Sequence, residues 1–259
     1  MMKQFIFVDL DDTLFQTRRK CKDNQLLFPA ANDQEGLPAS FFTEKQFYLF
    51  NLLKQNCEII PTTARNYQAF YRTELSKNFA YAILNHGGII LNRNGDIHQL
   101  WFEHIQNLVN QQLDELLALM NDLQSIIARH YSQLYIRLVN DCQLNFYILI
   151  KHVAKYTPAL NELKVNIVEP YLVEKLPNFY YHFNDNNLTI LPKFLNKYHA
   201  VKFIQTELAQ QQPYISFGMG DSLTDLAYMQ LCDYMITPNN SQINQHCFEI
   251  YTQPFSTIS

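Results

Sequence analysis

Short apolar runs and amphipathic segments alternate near both ends of the chain. Residues 5–8 are four apolar side chains bounded by polar ones, which predicts a strand buried on both faces. Further runs predict strands at about 59–60, 81–84, 214–220 and 234–237. Periodic segments between them predict helices at about 43–55, 66–77, 198–209 and 223–231. This alternation favours a doubly wound parallel sheet.

The rhythm changes in the middle of the chain. Amphipathic segments predict one long helix at about 101–129 and a second helix at about 158–169. Each is followed by a pair of strands, at 134–140 with 143–151 and at 179–183 with 188–191. We therefore expect an α/β protein with a Rossmann-like core of residues 1–88 and 190–259 and an inserted α+β domain of residues 89–189.

A polar stretch, residues 15–42, follows the first strand. We expect a long loop there, and loops of that length are often functional lids or flaps. Its first part carries the basic residues Arg18, Arg19, Lys20 and Lys22. Two interpretations of this cluster stay open: a solvated loop surface, and a flap that attracts an anionic substrate.

The composition narrows the range of partners. A formal net charge of −4 argues against a nucleic-acid partner, because such a partner calls for clustered positive charge. No apolar run is long enough to span a bilayer, and the first residues lack the pattern of a secretory signal. The five cysteines are scattered without a C-x-x-C pair, as is typical of reduced thiols. We expect a cytoplasmic protein, and the sequence leaves its oligomeric state open.

Reactive side chains follow several of the predicted strands. They are Asp9, Asp11, Thr62, Thr63, Asp221 and Asp225, and Lys197 stands near the start of a later helix. In open α/β sheets, ligands bind at the carboxyl ends of the strands. Acids, a hydroxyl and an amine at one sheet edge suit phosphoryl transfer with a divalent cation such as Mg²⁺, which prefers oxygen ligands.

Four motifs in this order resemble those of the haloacid-dehalogenase-like hydrolases, in particular the Cof-type, sucrose-phosphate-phosphatase-like and phosphomannomutase-like members. Residues 9–13 are similar to the D-x-D-x-T motif of the family, and residues 63–65 to its strand-ending T-G-R motif. Lys197 is similar to the lysine that opens a helix, and residues 220–225 are similar to G-D-x-x-N-D. The inserted α+β domain resembles the cap domain of this subgroup.

The resemblance implies catalytic roles for four residues. Asp9 is the expected nucleophile that forms an aspartyl-phosphate. Asp11 is expected to protonate the leaving oxygen and later to deprotonate water. Thr63 and Lys197 are expected to hold phosphoryl oxygens. Thr62 is an alternative to Thr63 for the same contact.

The resemblance also implies a Mg²⁺ site. Asp9, Asp221 and the backbone carbonyl of Asp11 are expected to coordinate the ion. Asp225 is expected to bind the metal through water or to steady Lys197. Asp225 also fits a helix-capping pattern, and one residue can serve both purposes.

Three neighbours of these residues depart from the family pattern. Ala64 stands where glycine is usual, Tyr198 where glycine is common and Thr224 where asparagine is usual. These departures bear on the shape of the site and its substrate more than on the reaction class. We expect a Mg²⁺-dependent phosphatase of a small phosphorylated metabolite, a sugar phosphate, acting through an aspartyl-phosphate. The alternatives are a phosphomutase or phosphotransferase on the same scaffold, and a catalytically silent regulatory protein.

Overall fold

The computed structural model describes residues 2–252, with side chains described for residues 2–247. It divides into two compact units. The first unit contains the residues up to His98 and those from Asn196 onward, and the second unit is Gln99–Leu195. These limits lie ten and six residues beyond the predicted domain limits at 88/89 and 189/190, which stay a prediction.

The first unit is built from nine strands and five helices within its described residues. Its strands are β1 (Lys3–Val8), β2 (Gln16–Thr17), β3 (Leu27–Asn32), β4 (Pro38–Thr43), β5 (Glu58–Pro61), β6 (Ala82–Leu84), β7 (Ile89–Leu91), β12 (Tyr214–Met219) and β13 (Tyr234–Ile236). Its helices are α1 (Glu44–Asn56), α2 (Tyr67–Tyr71), α6 (Lys197–Gln211), α7 (Leu226–Met229) and α8 (Gln242–Thr252). Short 3₁₀ helices lie at Arg18–Lys20, Glu74–Lys77 and Asn85–Gly87.

A parallel sheet in the order β13-β12-β1-β5 forms the centre of the first unit. Strand β1 lies inside it, and Ile6, Phe7 and Val8 are fully buried, as their unbroken apolar run predicts. Val8 pairs with Met219 on one side and with Pro61 on the other. This register brings the residues that follow β1, β5 and β12 to one edge of the sheet. The predicted α/β class with a parallel sheet is confirmed.

The stretch 15–42 differs from the long loop that we expected, because β2, β4 and β3 form an antiparallel sheet within it. Irregular register between Pro29 and Asn32 interrupts the two-residue alternation that would have marked a strand. Aromatic packing holds this sheet on α1, since the ring of Phe28 stacks on Phe47 at 4.1 Å and that of Phe42 stacks on Phe50 at 5.1 Å. Helix α1 begins at the predicted capping box of Thr43 and Gln46.

Strand β6 also differs from its expected place as a full member of the parallel sheet. It pairs antiparallel with β7 and meets the end of β5 through a single parallel bridge between Thr62 and Ile83. The backbone N–H of Thr63 donates to the carbonyl of Ile83 at 2.8 Å. The predicted helix at 66–77 is divided into α2 and a 3₁₀ turn, and the one predicted at 223–231 is reduced to α7.

The second unit has the predicted order of one helix and two strands, twice over. It contains α3 (Gln99–His130), β8 (Leu134–Asp141), β9 (Leu144–His152), α4 (Thr157–Leu163), a π-helical turn (Lys164–Val168), α5 (Glu169–Lys175), β10 (Phe179–Asn184) and β11 (Asn187–Pro192). The strands form an antiparallel sheet in the order β10-β11-β9-β8. An apolar cluster joins this sheet to the helices. None of the helices within residues 2–252 is long and apolar enough to span a membrane.

Candidate active site

Two buried carboxylates face each other at the carboxyl edge of the parallel sheet. Asp9 follows β1 and donates its backbone N–H to the carbonyl of Met219 at 2.9 Å, while Asp221 lies just beyond the end of β12. The hydroxyl of Thr13 lies 3.3 Å from Oδ2 of Asp9 and 3.0 Å from Oδ1 of Asp221. A tight turn in which the N–H of Leu14 bonds the carbonyl of Leu10 brings Thr13 back to this position. Thr13 therefore bridges the two acids.

Lys197 supplies a buried cation to the same place. Its Nζ donates to Oδ1 of Asp9 at 2.6 Å and to Oδ1 of Asp225 at 2.7 Å. It is the first residue of α6, which the Asn196 side chain caps by accepting the N–H of Tyr198 at 2.9 Å. The sequence-predicted residues Asp9, Lys197, Asp221 and Asp225 are thus brought together in one cluster.

Asp225 both holds Lys197 and caps the turn at Ser222, the two roles that its sequence position suggests. One carboxylate oxygen accepts from Lys197, and the other accepts the backbone N–H of Ser222 at 3.1 Å and its hydroxyl at 2.7 Å. Gly220 makes this turn possible, because a Cβ built on it would lie 2.6 Å from Cβ of Asp225. Every substitution of Gly220 would therefore displace the carboxylate that holds Lys197.

Burial and mutual repulsion set the charge state of the cluster. Burial raises the pKa of Asp9 well above its ordinary value, Lys197 opposes that shift, and Asp225 and Asp221 add to it. Burial and the charge of Asp225 raise the pKa of Asp221 to about 6. Burial alone would lower the pKa of Lys197, but the carboxylates of Asp225 and Asp9 raise it. The cluster therefore has an excess of negative charge that a cation would relieve.

The carboxylates fit a hard divalent cation. One oxygen from each of Asp9, Asp221 and Asp225 lies within 4.8 Å of the other two. Oxygen ligands are the kind that Mg²⁺ prefers, and the ion usually keeps several waters as well. The two oxygens of Asp225 accept from Lys197 and from Ser222, whereas Oδ2 of Asp9 and Oδ1 of Asp221 share only the hydroxyl of Thr13, at 3.3 and 3.0 Å. Asp9 and Asp221 are therefore the side chains best suited to direct coordination.

Asp11 turns its side chain away from this cluster and toward Arg65. The guanidinium binds both carboxylate oxygens, with Nε at 2.8 Å from Oδ2 and Nη2 at 2.7 Å from Oδ1. Arg65 also lies over the ring of Phe15 at 5.2 Å. From the sequence, Arg65 is recognisable only as the end of a motif, because an ion pair across 54 residues leaves no local pattern.

Two neighbouring hydroxyls follow β5, and their hydrogen bonds differ. The hydroxyl of Thr62 donates to the carbonyl of Ile60 in β5 at 3.1 Å. The hydroxyl of Thr63 accepts the N–H of Arg65 at 3.1 Å, which leaves its own proton for another acceptor. This difference favours Thr63 as the donor to a bound anion.

The basic cluster after β1 is partly neutralised. Nζ of Lys20 lies 2.6 Å from Oδ2 of Asp12, and Nη2 of Arg18 lies 3.7 Å from the exposed carboxylate of Asp23. Asp12 has a left-handed backbone, with φ of 68°, and directly precedes Thr13. Lys20 is therefore tied to the same turn that carries the site acids.

Comparison with known proteins identifies the fold. No protein-family model and no curated protein sequence matches the chain. Among solved structures, the sucrose-phosphatase of Synechocystis sp. PCC6803, in complex with sucrose and phosphate, is 18% identical over 98% of this chain and 90% of that one, with a TM-score of 0.52. A trehalose-6-phosphate phosphatase related protein is 18% identical over 90% of this chain and 85% of that one, with a TM-score of 0.51.

A third similar structure is the C-terminal domain of C. albicans trehalose-6-phosphate phosphatase. It is 14% identical, covers 88% of this chain and 73% of that one, and has a TM-score of 0.53. Identities this low bear on the fold alone. The chain has the fold of these phosphatases, as its resemblance to the haloacid-dehalogenase-like hydrolases implies.

Proposed function

We propose that the protein is a Mg²⁺-dependent phosphatase of a small phosphorylated metabolite. The observation that carries this proposal is the buried contact of 2.6 Å between Asp9 and Lys197, next to Asp221 and Asp225. A nucleophilic carboxylate, an ammonium for phosphoryl oxygens and acids for a cation are the parts that phosphoryl transfer needs. They meet at the sheet edge where ligands bind in α/β folds.

In the proposed reaction, an oxygen of Asp9 attacks phosphorus and the bond from phosphorus to the leaving oxygen breaks. Asp11 gives its proton to that oxygen, which leaves an aspartyl-phosphate and an alcohol. Asp11 then takes a proton from water, the water oxygen attacks phosphorus, and Asp9 and inorganic phosphate are released. Lys197 and Thr63 hold the phosphoryl oxygens on which negative charge builds up.

Two contacts of the resting structure must change during this sequence. Oδ1 of Asp9 accepts from Lys197, so the ammonium has to share its hydrogen bonds with the arriving phosphoryl group. Asp11 accepts from Arg65 through both oxygens, so one of these bonds has to lengthen before that carboxylate can carry a proton. Arg65 thereby keeps the acid ordered until substrate arrives.

Asp9, Asp221 and the backbone carbonyl of Asp11 are the groups that would hold Mg²⁺, with Asp225 contributing through water. The bound ion supplies positive charge that neutralises phosphoryl oxygens. A sugar phosphate is the proposed substrate class, because two of the similar structures are a sucrose-phosphatase and a domain of a trehalose-6-phosphate phosphatase. The proposed activity is therefore the hydrolysis of a phosphoric monoester.

The test is release of inorganic phosphate from a panel of phosphorylated sugars, nucleotides and cofactors with Mg²⁺. Asp9→Asn should lower turnover by at least about 10³-fold, because the amide is not a nucleophile for phosphorus. Asp23→Asn is the control, since Asp23 is an exposed acid whose only described ion pair is with Arg18. An Asp9→Asn variant with native turnover would refute the mechanism, and isomerised sugar phosphate in place of free phosphate would indicate a mutase.

A further inference from the structure

Tyr228 lies directly beneath the buried ion cluster. Its side chain is fully buried, and the centre of its ring is 5.7 Å from Nζ of Lys197. Its hydroxyl donates to the backbone carbonyl of Met219 at 2.5 Å. The sequence gives no hint of this position, because an aromatic residue in a short helix is typical of ordinary core packing.

The ring of Tyr228 lies near the ammonium of Lys197, which the two carboxylates do not fully satisfy. An ammonium has three N–H donors, and the described hydrogen bonds of Lys197 use two of them, toward Asp9 and Asp225. A buried cation that has lost water is attracted by the negative face of an aromatic ring within about 6 Å. The ring of Tyr228 is at that distance, so it stabilises the ammonium where a third hydrogen bond is lacking.

The hydroxyl of Tyr228 links this side chain to Asp9, the partner of Lys197, through the backbone of Met219. The carbonyl of Met219 accepts both the hydroxyl of Tyr228 and the backbone N–H of Asp9. A carbonyl oxygen has two lone pairs and can accept both. Tyr228 therefore contacts Lys197 through its ring and is one hydrogen bond removed from the backbone of Asp9.

A glycine in β12 allows this approach. A Cβ built on Gly218 would lie 2.7 Å from Cα of Met229, the residue that follows Tyr228. Only a residue without a side chain lets α7 come this close to the strand. The close packing of α7 on β12 sets the height of the Tyr228 ring below the ion pair.

We propose that Tyr228 is a positioning residue that fixes the ammonium of Lys197 between Asp9 and Asp225 for phosphoryl transfer. The proposal rests on the proposed function, since it assigns a support to a group of that site. The described ring contact of Tyr228 is with Lys197 and its described hydrogen bond is with Met219, so its proposed effect on the reaction passes through Lys197.

The test changes the electrostatics of the ring at constant shape. Tyr228→Phe keeps the ring, and we expect kcat to fall by less than about 5-fold, as the loss of one neutral hydrogen bond predicts. Trifluorophenylalanine at position 228 keeps the shape and weakens the negative face of the ring. We expect it to lower kcat by about 10-fold more, with KM changed less than the turnover, because the cation–π attraction is lost.

Phe5 offers a matched control. It is buried at the amino end of β1, where it packs edge-on against Tyr214. The same fluorinated residue at position 5 tests packing without a cation and should leave kcat unchanged. Equal kcat for phenylalanine and trifluorophenylalanine at position 228 would overturn the proposal, because weakening the negative face of the ring would then have no effect on turnover.

A second measurement separates this proposal from the proposed function. The Nζ and Cε resonances of Lys197 should move between the Tyr228→Phe and Tyr228→Leu proteins, because only the former retains a ring current. If the native protein releases phosphate from no substrate yet these resonances move, the phosphatase assignment fails and the contact stands. If they do not move, the contact itself is refuted.

Discussion

The two units of the molecule bury different chemistry. The core of the second unit is an apolar cluster, formed by Leu116, Leu119, Leu123, Ile127, Leu134, Ile148, Ile150, Leu160, Leu163, Val168, Leu172, Phe179, Leu188 and Ile190. In the first unit, the charged side chains of Asp9, Lys197, Asp221 and Asp225 are buried together with apolar residues and with neutral polar residues such as Thr13. Within the described residues, every buried carboxylate and ammonium group belongs to the first unit.

This difference means that burial affects the stability of the two units in different ways. Apolar burial stabilises the second unit by about 25 cal/mol for each Å² removed from water, whatever the pH or the ions present. Charged groups lose hydration on burial, and their attraction only partly offsets that loss. The first unit thus keeps a destabilising cluster at the sheet edge where its chemistry is proposed, and the rest of its core has to stabilise it.

Even the buried histidine of the second unit serves its local structure. Nδ1 of His152 accepts the backbone N–H groups of Ala154 and Tyr156, both at 3.1 Å. These bonds close the turn between β9 and α4. This polar group of the second unit stabilises a loop, whereas Asp9, Lys197 and Asp225 of the first unit bond one another.

Removing the buried cation should have the largest effect on stability. Lys197→Met leaves Asp9 and Asp225 without their partner, and we expect a loss of about 3–5 kcal/mol of unfolding free energy at pH 7. The loss should be smaller at pH 5, where protonation relieves the carboxylates. Urea denaturation at both pH values measures it. Lys202→Met, an exposed change in the same helix, should stay within about 0.5 kcal/mol.

A cavity in the second unit should lower the unfolding free energy by an amount that does not depend on pH or Mg²⁺. Leu123→Ala removes a fully buried side chain and should lower the unfolding free energy by about 3 kcal/mol. The loss should be equal at pH 5 and pH 7 and with or without Mg²⁺. Leu117→Ala, a partly exposed position on the same helix, is the control. A strong dependence on pH would contradict the contrast between the units.

In the metal-free protein, the stability of the first unit should depend on pH through Asp221, whereas that of the second unit should not. The pKa of Asp221 is raised from 3.8 to about 6, so the folded protein binds a proton that the unfolded chain has released. Stability from this group is therefore fully present below about pH 4 and is lost as the pH rises through about 6, by roughly 3 kcal/mol. Asp221→Asn should flatten this slope, and added Mg²⁺ should restore stability at pH 7. A flat native profile in EDTA would refute the prediction.

The smallest of these effects should come from Thr13. Thr13→Val keeps the shape and removes the hydroxyl that bridges Asp9 and Asp221. We expect a loss of about 1.5 kcal/mol, as for a hydrogen bond to a charged group. Thr206→Val is the control, because that hydroxyl bonds a backbone carbonyl on an exposed helix surface. Equal losses would mean that the bridge adds nothing to the cluster.

The sequence predicts most of the fold because its strands are marked locally. Residues 5–8 and 214–219 are apolar runs bounded by polar residues, and α3 has a long regular stripe. The sheet at 16–43 was missed because Pro29 and Pro38 read as turn residues and a bulge breaks the alternation. Its stability comes from aromatic contacts with α1, which local pattern does not encode.

The sequence predicts those residues of the site that directly follow a buried strand. The positions of Asp9 and Asp221 follow from the ends of two buried strands. The contacts of Thr13, Arg65 and Tyr228 do not follow, since each joins residues whose approach depends on the final packing. Of these three residues, only Arg65 gives a signal in the sequence. Its positive charge follows a predicted strand end, where an acidic partner is expected.

The register of β1 has a consequence for how the protein is made. Its neighbour β12 comes from the far part of the chain, and 208 residues separate Thr13 from Asp221. At ribosomal speeds of about 5–20 residues per second, the first strand waits ~10–40 s for that neighbour. The second unit lies wholly within this interval and pairs its strands among themselves. A nascent chain can thus complete its second unit while the edge of β1 that will pair with β12 still has unpaired backbone N–H and C=O groups, which leaves that edge prone to pairing with other chains.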